Sequence, residues 1–374
     1  MRKTWAVARK ELRQIARDPL SLIMLVGLPA FMLVLYGFAL NFDVRHVALA
    51  VQDLDGSRGS RDLLSAFVNS TYFDVTVVAG AGDDLERITR SRAAKAVLVI
   101  PRGFGDDLAS GRRAAVQLLL DGTDATTAQT ILGYAGAITA ETNLRLLHGA
   151  LARAGAHPPA TTDYEPRVFY NPELRSTQFL VPGLIGFLLM LTAVLSTAMS
   201  VVREKERGTM EQIRVSPVRT VELILGKATP YLVISLIATA VIILAARVLF
   251  GVVVRGSYLD LFVATVLYLL GALGFGLLIS TLVDTQALAF QVGLLTSLLP
   301  AMLLSGFIFP IRTMPVFLRA LTNLVPARHF LIVLRGIILK GAGLEPYLEQ
   351  LTALALFAIG TLALASLRMS RREA

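Results

Sequence analysis

The chain has 374 residues, 55% of them hydrophobic, with a formal net charge of +9 and a mean hydropathy of +0.64. An ordinary soluble domain holds about 45–50% apolar residues, so an excess gathered into several runs of about 20 residues predicts multiple membrane spans. The absence of cysteine excludes disulfides, thiolate metal sites and cysteine nucleophiles, and it fits a domain exposed to an oxidising periplasm.

Residues 3–16 predict a helix with Trp5, Ala8, Leu12 and Ile15 on one face and Arg9, Lys10 and Arg13 elsewhere. An apolar stripe beside basic residues suits a membrane interface, and Pro19 is expected to end the helix. The first span is read over Leu20–Leu40, about 30 Å at ~1.5 Å per residue. It outruns the apolar core of a secretory signal, which has about 7–15 residues, and Phe38-Ala39-Leu40 is a poor cleavage site; it reads as an uncleaved anchor. Residues 42–178 are different material. The short runs Val47–Val51, Val75–Val78, Ala96–Ile100 and Val116–Leu120 predict strands. A helix is expected to start at Asp83-Asp84-Leu85-Glu86, and a long one to cover Asp124–Leu151. Strands alternating with helices indicate an α/β domain large enough to bury its own core. Further spans follow over Phe179–Val202, Ala228–Leu249, Leu259–Leu282, Ala287–Phe309 and Leu351–Leu367. Between the last two, the longest unbroken apolar run of residues 310–346 is Phe330–Leu334. Even this longest run is too short to span, and the segment predicts either amphipathic helices at the outer surface or a re-entrant hairpin buried in protein.

Charge sets the expected orientation. Residues 1–19 carry six Lys/Arg, the loop 203–227 carries six more, and Arg368, Arg371 and Arg372 close the chain, whereas 41–178 holds 14 Lys/Arg against 16 Asp/Glu. Basic clusters beside apolar runs follow the positive-inside rule. Both termini and 203–227 are therefore expected in the cytoplasm and 42–178 outside. Contact with lipid headgroups, not nucleic acid, accounts for the clusters.

Within 203–227, Glu204, Glu206, Glu211 and Glu222 stand among the basic residues. From charge alone this is a solvated face. Its order, however, is Glu204-x-Glu206-x-Gly208-Thr209-x-Glu211, then Val215-Ser216-Pro217, then Leu225-Gly226-Lys227. This resembles the ABC-2 type permease family, the membrane subunits of many ATP-driven bacterial exporters. Ser305-Gly306-Phe307-Ile308-Phe309-Pro310-Ile311, Met314-Pro315, Pro326 and Leu334-Arg335-Gly336 resemble that family's C-terminal signature. The resemblance implies an interfacial helix at the chain start and a coupling helix in this loop that docks on a separate cytoplasmic ATPase. It makes Glu204, Glu206, Gly208, Thr209, Glu211 and Pro217 the ATPase-coupling residues. Closure of the ATPase would move the docked loop, and with it the second and third spans. A dimer of permease subunits, identical or different, is implied, with ATP and magnesium bound by the partner ATPase; the layout also leaves room for a periplasmic adaptor. The second and fifth spans would line the path, with Thr192, Ser196, Gln291 and Ser297 as candidate pathway-lining residues. The competing reading for the Ser and Thr among these is a hydrogen bond to their own helix.

No catalytic or metal site is expected. A P-loop needs G-x-x-x-x-G-K-[ST], but Gly226-Lys227 is followed by Ala228 and Val221 stands where the first glycine belongs. Gly80-Ala81-Gly82-Asp83 lies in a polar loop, not in the membrane helix that an intramembrane aspartyl protease requires. Asp53-Leu54-Asp55-Gly56 has Leu64 where a calcium loop needs an acid and reads as a turn capped by Ser57 or Ser60. The four His lack metal-ligand spacing. The expected fold is an all-α polytopic membrane domain of six transmembrane helices with an inserted extracytoplasmic α/β domain between helices one and two. In order, the parts are an interfacial helix at 1–19, a span at 20–41, the external domain at 42–178, five spans within 179–369 and a cytoplasmic tail at 370–374. The expected function is the permease of an exporter in the bacterial inner membrane, moving an amphipathic or hydrophobic solute such as a drug. A sensor with a periplasmic domain is the rival, and it would have to signal through a cytoplasmic partner, since no cytoplasmic segment exceeds about 25 residues.

Overall fold

The computed structural model describes residues 2–39, 44, 46–153, 169–172, 175–210 and 219–371. They form two units, Met1–Asn41 with Arg167–Ala374, and Phe42–Pro166.

The first unit begins with α1, Arg2–Ala16. Its apolar stripe is split. Ala8 and Ile15 are buried, but Trp5 and Leu12 are 64% and 43% exposed, and Glu11 lies on the buried face. The helix turns this way because a buried ammonium, that of Lys227, waits beneath Glu11, while Trp5 and Leu12 are left on the flank that suits an interface. The chain resumes as α2, Pro19–Leu22, then a π-turn, Ile23–Gly27, then α3, Leu28–Ala39. Pro29 lacks an amide hydrogen and would clash with the carbonyl one turn back. The wide turn before it, with the Leu28 N–H donating to the Ile23 carbonyl, takes up that conflict.

The second unit holds β1, Val47–Asp53; α4, Arg58–Asn69; β2, Phe73–Val78; α5, Leu85–Arg90; β3, Ala96–Ile100; α6, Phe104–Ala109; β4, Gln117–Leu120; and α7, Ala125–Arg153. The sheet order is β2-β1-β3-β4. β1 pairs in parallel with β2 and β3, and β4 runs antiparallel to β3. Central parallel strands are covered on both faces. Leu49 and Val51 of β1 face Phe67 of α4 and Ile131 and Ile138 of α7, and Ala50 faces the side that Leu85 and Ile88 of α5 close. Ser57 caps α4 by accepting from the Ser60 amide, and Asp84 caps α5. Asp53 accepts from the amides of Asp55 and Gly56. Asp55 accepts from those of Gly103 and Gly105, so both acids hold a turn together. Hydrogen bonds from Ser57 and these amides outweigh burial and keep the Asp55 carboxyl below its ordinary pKa.

The first unit then continues with α8, Ser176–Glu206; α9, Thr220–Phe250; α10, Tyr258–Leu282; and α11, Gln286–Leu299, extended by a π-turn to Leu304. α12, Val316–Leu321, and α13, Pro326–Arg335, precede α14, Leu348–Arg371. Among the described residues, five helices are long and apolar enough to cross a bilayer, and a sixth candidate is the pair Val316–Leu324 and Pro326–Lys340, bent by 84°. The helix expected to reach Phe309 stops at Leu304, because Gly306 adopts a φ of +80° that turns the chain. The second arm of the bent pair is buried in protein. Phe330, Leu331, Val333, Leu334, Ile337 and Ile338 are all at most 1% exposed, and Phe330 stacks on Tyr268 with centroids 4.1 Å apart. Arg335 secures its end, donating to the Gly306 carbonyl at 2.9 Å with its guanidinium 3.7 Å from the Phe179 ring.

α8 is the central element, and small residues let its neighbours approach. A side chain on Gly183 would meet Phe307, and one on Gly186 would meet Leu331. Tyr268 of α10 donates to the Gly186 carbonyl at 2.8 Å, and Thr197 of α8 to the Leu273 carbonyl at 3.2 Å. A Cβ on Gly276 of α10 would overlap Thr197 and the Val194 carbonyl, whereas Gly360 of α14 has nothing within 4 Å. Gly276→Ala is therefore expected to destabilise the helix pair by about 1–3 kcal/mol and Gly360→Ala to be neutral, as read by thermal unfolding in mild detergent.

Candidate functional site

Four charged side chains meet where α1, the end of α8 and the start of α9 come together. Lys10 and Glu11 are neighbours on α1, Glu204 is two residues from the end of α8, and Lys227 lies in the second turn of α9. Gly226 brings α1 down onto α9: a Cβ there would sit 2.8 Å from Val7 Cβ and 3.0 Å from the Thr4 carbonyl oxygen. Lys227 Nζ then reaches Glu11 Oε1 at 3.1 Å and Glu204 Oε2 at 2.5 Å. Lys10 Nζ reaches Glu11 Oε1 at 3.3 Å and also pairs with Glu204. Ammonium and carboxylate thus alternate around a closed ring, and Ser200 donates to Glu11 Oε2 at 3.4 Å. Glu11 and Lys227 are 2% exposed and Glu204 is 6% exposed. Lys10 is the member that reaches water. Its partial burial lowers its pKa, but hydrogen bonds and charge from Glu204 and Glu11 raise it further, so the net shift is upward.

Removing any one member leaves a buried charge unmatched, and each such charge costs several kcal/mol. The ring therefore fixes α1, α8 and α9 as a set. It forms only when all three helix ends are in place.

The residues around Glu204 extend this linkage. Successive residues on a helix are about 100° apart, so Arg203, Glu204, Lys205 and Glu206 face four directions. Arg203 pairs with Asp18, ahead of α2, at 3.6 Å, and donates to the Gln286 side chain at 3.4 Å. Glu204 joins the ring. Lys205 caps the C-terminal carbonyls of α10, donating to Val283 at 2.9 Å and to Ser280, and it pairs with Asp284 at 3.5 Å. A cation at that end suits the helix dipole. Glu206 accepts the Gln286 backbone N–H at 2.7 Å and its side-chain amide, a carboxylate at the N-terminus of α11. One helical turn of α8 thereby holds α1, α9, α10 and α11. Gly208 then ends the helix with a φ of +68°, the left-handed position that glycine adopts without strain. Thr209 Oγ1 donates back to the Glu204 carbonyl at 3.3 Å.

Of the coupling residues expected from sequence, Glu204, Glu206, Gly208 and Thr209 are thus gathered in one place. Glu211 and Pro217 lie outside the described residues. Three of the four pathway candidates satisfy their hydroxyls within their own helices. Thr192, Ser196 and Ser297 each donate to a carbonyl of their own helix, at Leu188, Ala193 and Gly293. Ser297 is buried, and Gln291 is exposed on α11. Sequence reading missed Lys10, Glu11 and Lys227. The available signal was weak: one acid on the inner face of an amphipathic helix, and one lysine just inside an apolar run after a glycine. Among the described residues no group of three or more His, Asp or Glu could hold a metal ion.

Residues 19–367 match the family described as ABC-2 family transporter protein. The chain is 33% identical over 343 residues to the probable multidrug ABC transporter permease YbhS of Escherichia coli K12, covering 91% of this chain and 89% of that one. It is 31% identical to the probable multidrug ABC transporter permease YbhR of the same organism, covering 92% and 91%. It is 27% identical over 371 residues to the inner membrane transport permease YhhJ, covering 96% and 94%.

The ring makes a direct energetic test possible. Lys227→Met is expected to cost about 3–5 kcal/mol, because two carboxylates then share Lys10 alone. Adding Glu204→Leu is expected to return part of that loss. Thermal unfolding of the two variants and of Glu204→Leu alone gives the coupling energy.

Proposed function

The chain belongs to the ABC-2 transporter family, and on that premise we propose that it exports amphipathic or hydrophobic solutes such as drugs, driven by a separate cytoplasmic ATPase that docks on the loop 203–227. It is the permease of an ABC exporter, a multi-pass membrane protein that works with an ATP-binding subunit. The observation that carries the mechanism is the turn Arg203–Glu206, whose side chains engage α1, α9, α10 and α11. A push on the loop that begins at Gly208 passes into this turn. Because each side chain is tied to a different helix, the turn moves those helix ends together. The ring supplies the stiffness on one side, and the caps on α10 and α11 supply it on the other.

In the proposed arrangement six spans cross the bilayer, the first being Pro19–Ala39. Both termini and the charge ring face the cytoplasm, the bent pair enters from the outer side, and the α/β unit stands outside. Two such subunits, alike or different, form the path, and Glu211 and Pro217 make contact with the ATPase. ATP and magnesium belong to that partner. Lys227, the lysine that would answer to a P-loop, is instead buried between Glu11 and Glu204, which supports a motor outside this chain. The scarcity of charge inside the spans favours an apolar or amphipathic cargo. The two relatives named as multidrug permeases support the same reading.

Gentle-detergent purification from the native cell is expected to bring down a P-loop ATPase in stoichiometric amount, and to lose it when 203–227 is altered. A preparation free of any ATPase would overturn the proposal. Glu211→Ala is expected to insert normally and to reduce transport by about tenfold or more, as for loss of a contact worth about 1.4 kcal/mol. Unchanged transport in reconstituted vesicles would remove Glu211 from the ATPase contact.

A further inference from the structure

An apolar groove of about 560 Å³ lies between α9 and α10, within the range of about 300–1,000 Å³ usual for small-molecule sites. Ile237 and Leu244 of α9 and Leu261 and Phe262 of α10 form its walls, and Arg247 and Tyr258 stand at one end. Val233 marks the other end, about 21 Å away along α9 at ~1.5 Å per residue. That exceeds half of a hydrocarbon core of about 30 Å, so the groove runs the depth of one leaflet.

Arg247 fixes which leaflet. It lies on the same helix as Lys227, about 30 Å further along, one hydrocarbon thickness from the charge ring. Its guanidinium therefore sits at headgroup depth, opposite the ring. It is exposed and has no ion-pair partner among the described residues. Tyr258, 59% exposed, lies beside it, as tyrosines do at a membrane interface. The nearest acid on α10, Asp260, faces away toward Gly343, 3.5 Å from where a Cβ there would stand. A mostly apolar groove with one cation, unpaired among the described residues, at its headgroup end complements an acyl chain with an anionic head.

We infer that this groove binds one anionic phospholipid, with an acyl chain between α9 and α10 and the phosphate on Arg247, which can grip it in two-pronged fashion. The site faces the bilayer and is distinct from the charge ring, and it does not rest on the transport reading. Its consequence is a headgroup preference at one lateral position of the protein.

The chain has a single tryptophan, Trp5, so Trp5→Phe with Val248→Trp places the sole reporter beside the groove mouth at a residue 71% exposed. The protein is reconstituted in dioleoylphosphatidylcholine vesicles containing increasing fractions of brominated phosphatidylglycerol. Quenching is expected to give about a fivefold preference for phosphatidylglycerol over phosphatidylcholine, the size of effect one basic residue exerts on an anionic lipid. Arg247→Gln is expected to abolish the preference, Arg247→Lys to keep most of it, and Arg255→Gln, on the nearby loop, to leave it unchanged. Both arginines are exposed, so neither substitution disturbs the core. Absence of any preference in the parent would overturn the inference. So would equal loss in Arg247→Gln and Arg255→Gln, which would mean surface charge only. Equal quenching by brominated diacylglycerol would overturn it too, leaving a slot for chains without a headgroup site.

Discussion

A ring of four charges, three of them buried, is the constraint on which the cytoplasm-proposed end of the helices depends. Two carboxylates and two ammonium groups sum to zero, and Glu11, Glu204 and Lys227 are tolerable away from water only because the others are there. Such a ring adds little net stability compared with an apolar core of the same shape. What it contributes is discrimination. α1 can lie on α9 in one register, with Glu11 over Lys227, and α8 can end in one place, with Glu204 between both lysines. A slip by one residue would strand a charge.

The membrane helices themselves lack this kind of instruction. Lipid is as apolar as leucine, so burying leucine against leucine gives helices little reason to choose partners. Close approach decides instead. Gly183, Gly186 and Gly276 let Phe307, Leu331 and Thr197 come within contact distance, and Tyr268 and Thr197 add hydrogen bonds between helices. The bent pair can enter the same packed region only because Gly306 takes a left-handed turn and Arg335 binds its carbonyl.

These two kinds of constraint divide the molecule's labour. The packed glycine contacts along α8 and α10 make a rigid bundle, and the charged turn Arg203–Glu206 collects the helix ends into one handle. In the proposed mechanism the handle is what a motor grips. The face between α9 and α10 takes part in neither constraint, and its groove and Arg247, unpaired among the described residues, are what we propose to meet lipid.

The sequence by itself determined the family and the five long apolar helices from Ser176 onward, whereas the first expected span, Leu20–Leu40, contains only the shorter apolar helix Leu25–Ala39. Apolar runs of the right length are needed wherever backbone enters hydrocarbon, and β-prone runs located the four strands among the described residues of Phe42–Pro166 within a few residues. Local chemistry was legible in part: of Ser57 and Ser60 it is Ser57 that caps α4, and the helix expected to start within Asp83–Glu86 does so behind Asp84. Only the tertiary structure decided what Glu11 and Lys227 do. They are 216 positions apart, each looks like an ordinary surface charge in its own segment, and their pairing exists only once Gly226 lets α1 settle on α9. Which residues of the α1 stripe are buried is hidden for the same reason. A helix buries whichever face finds partners, and the partner of Glu11 was an ion pair, invisible to a pattern of apolar spacing.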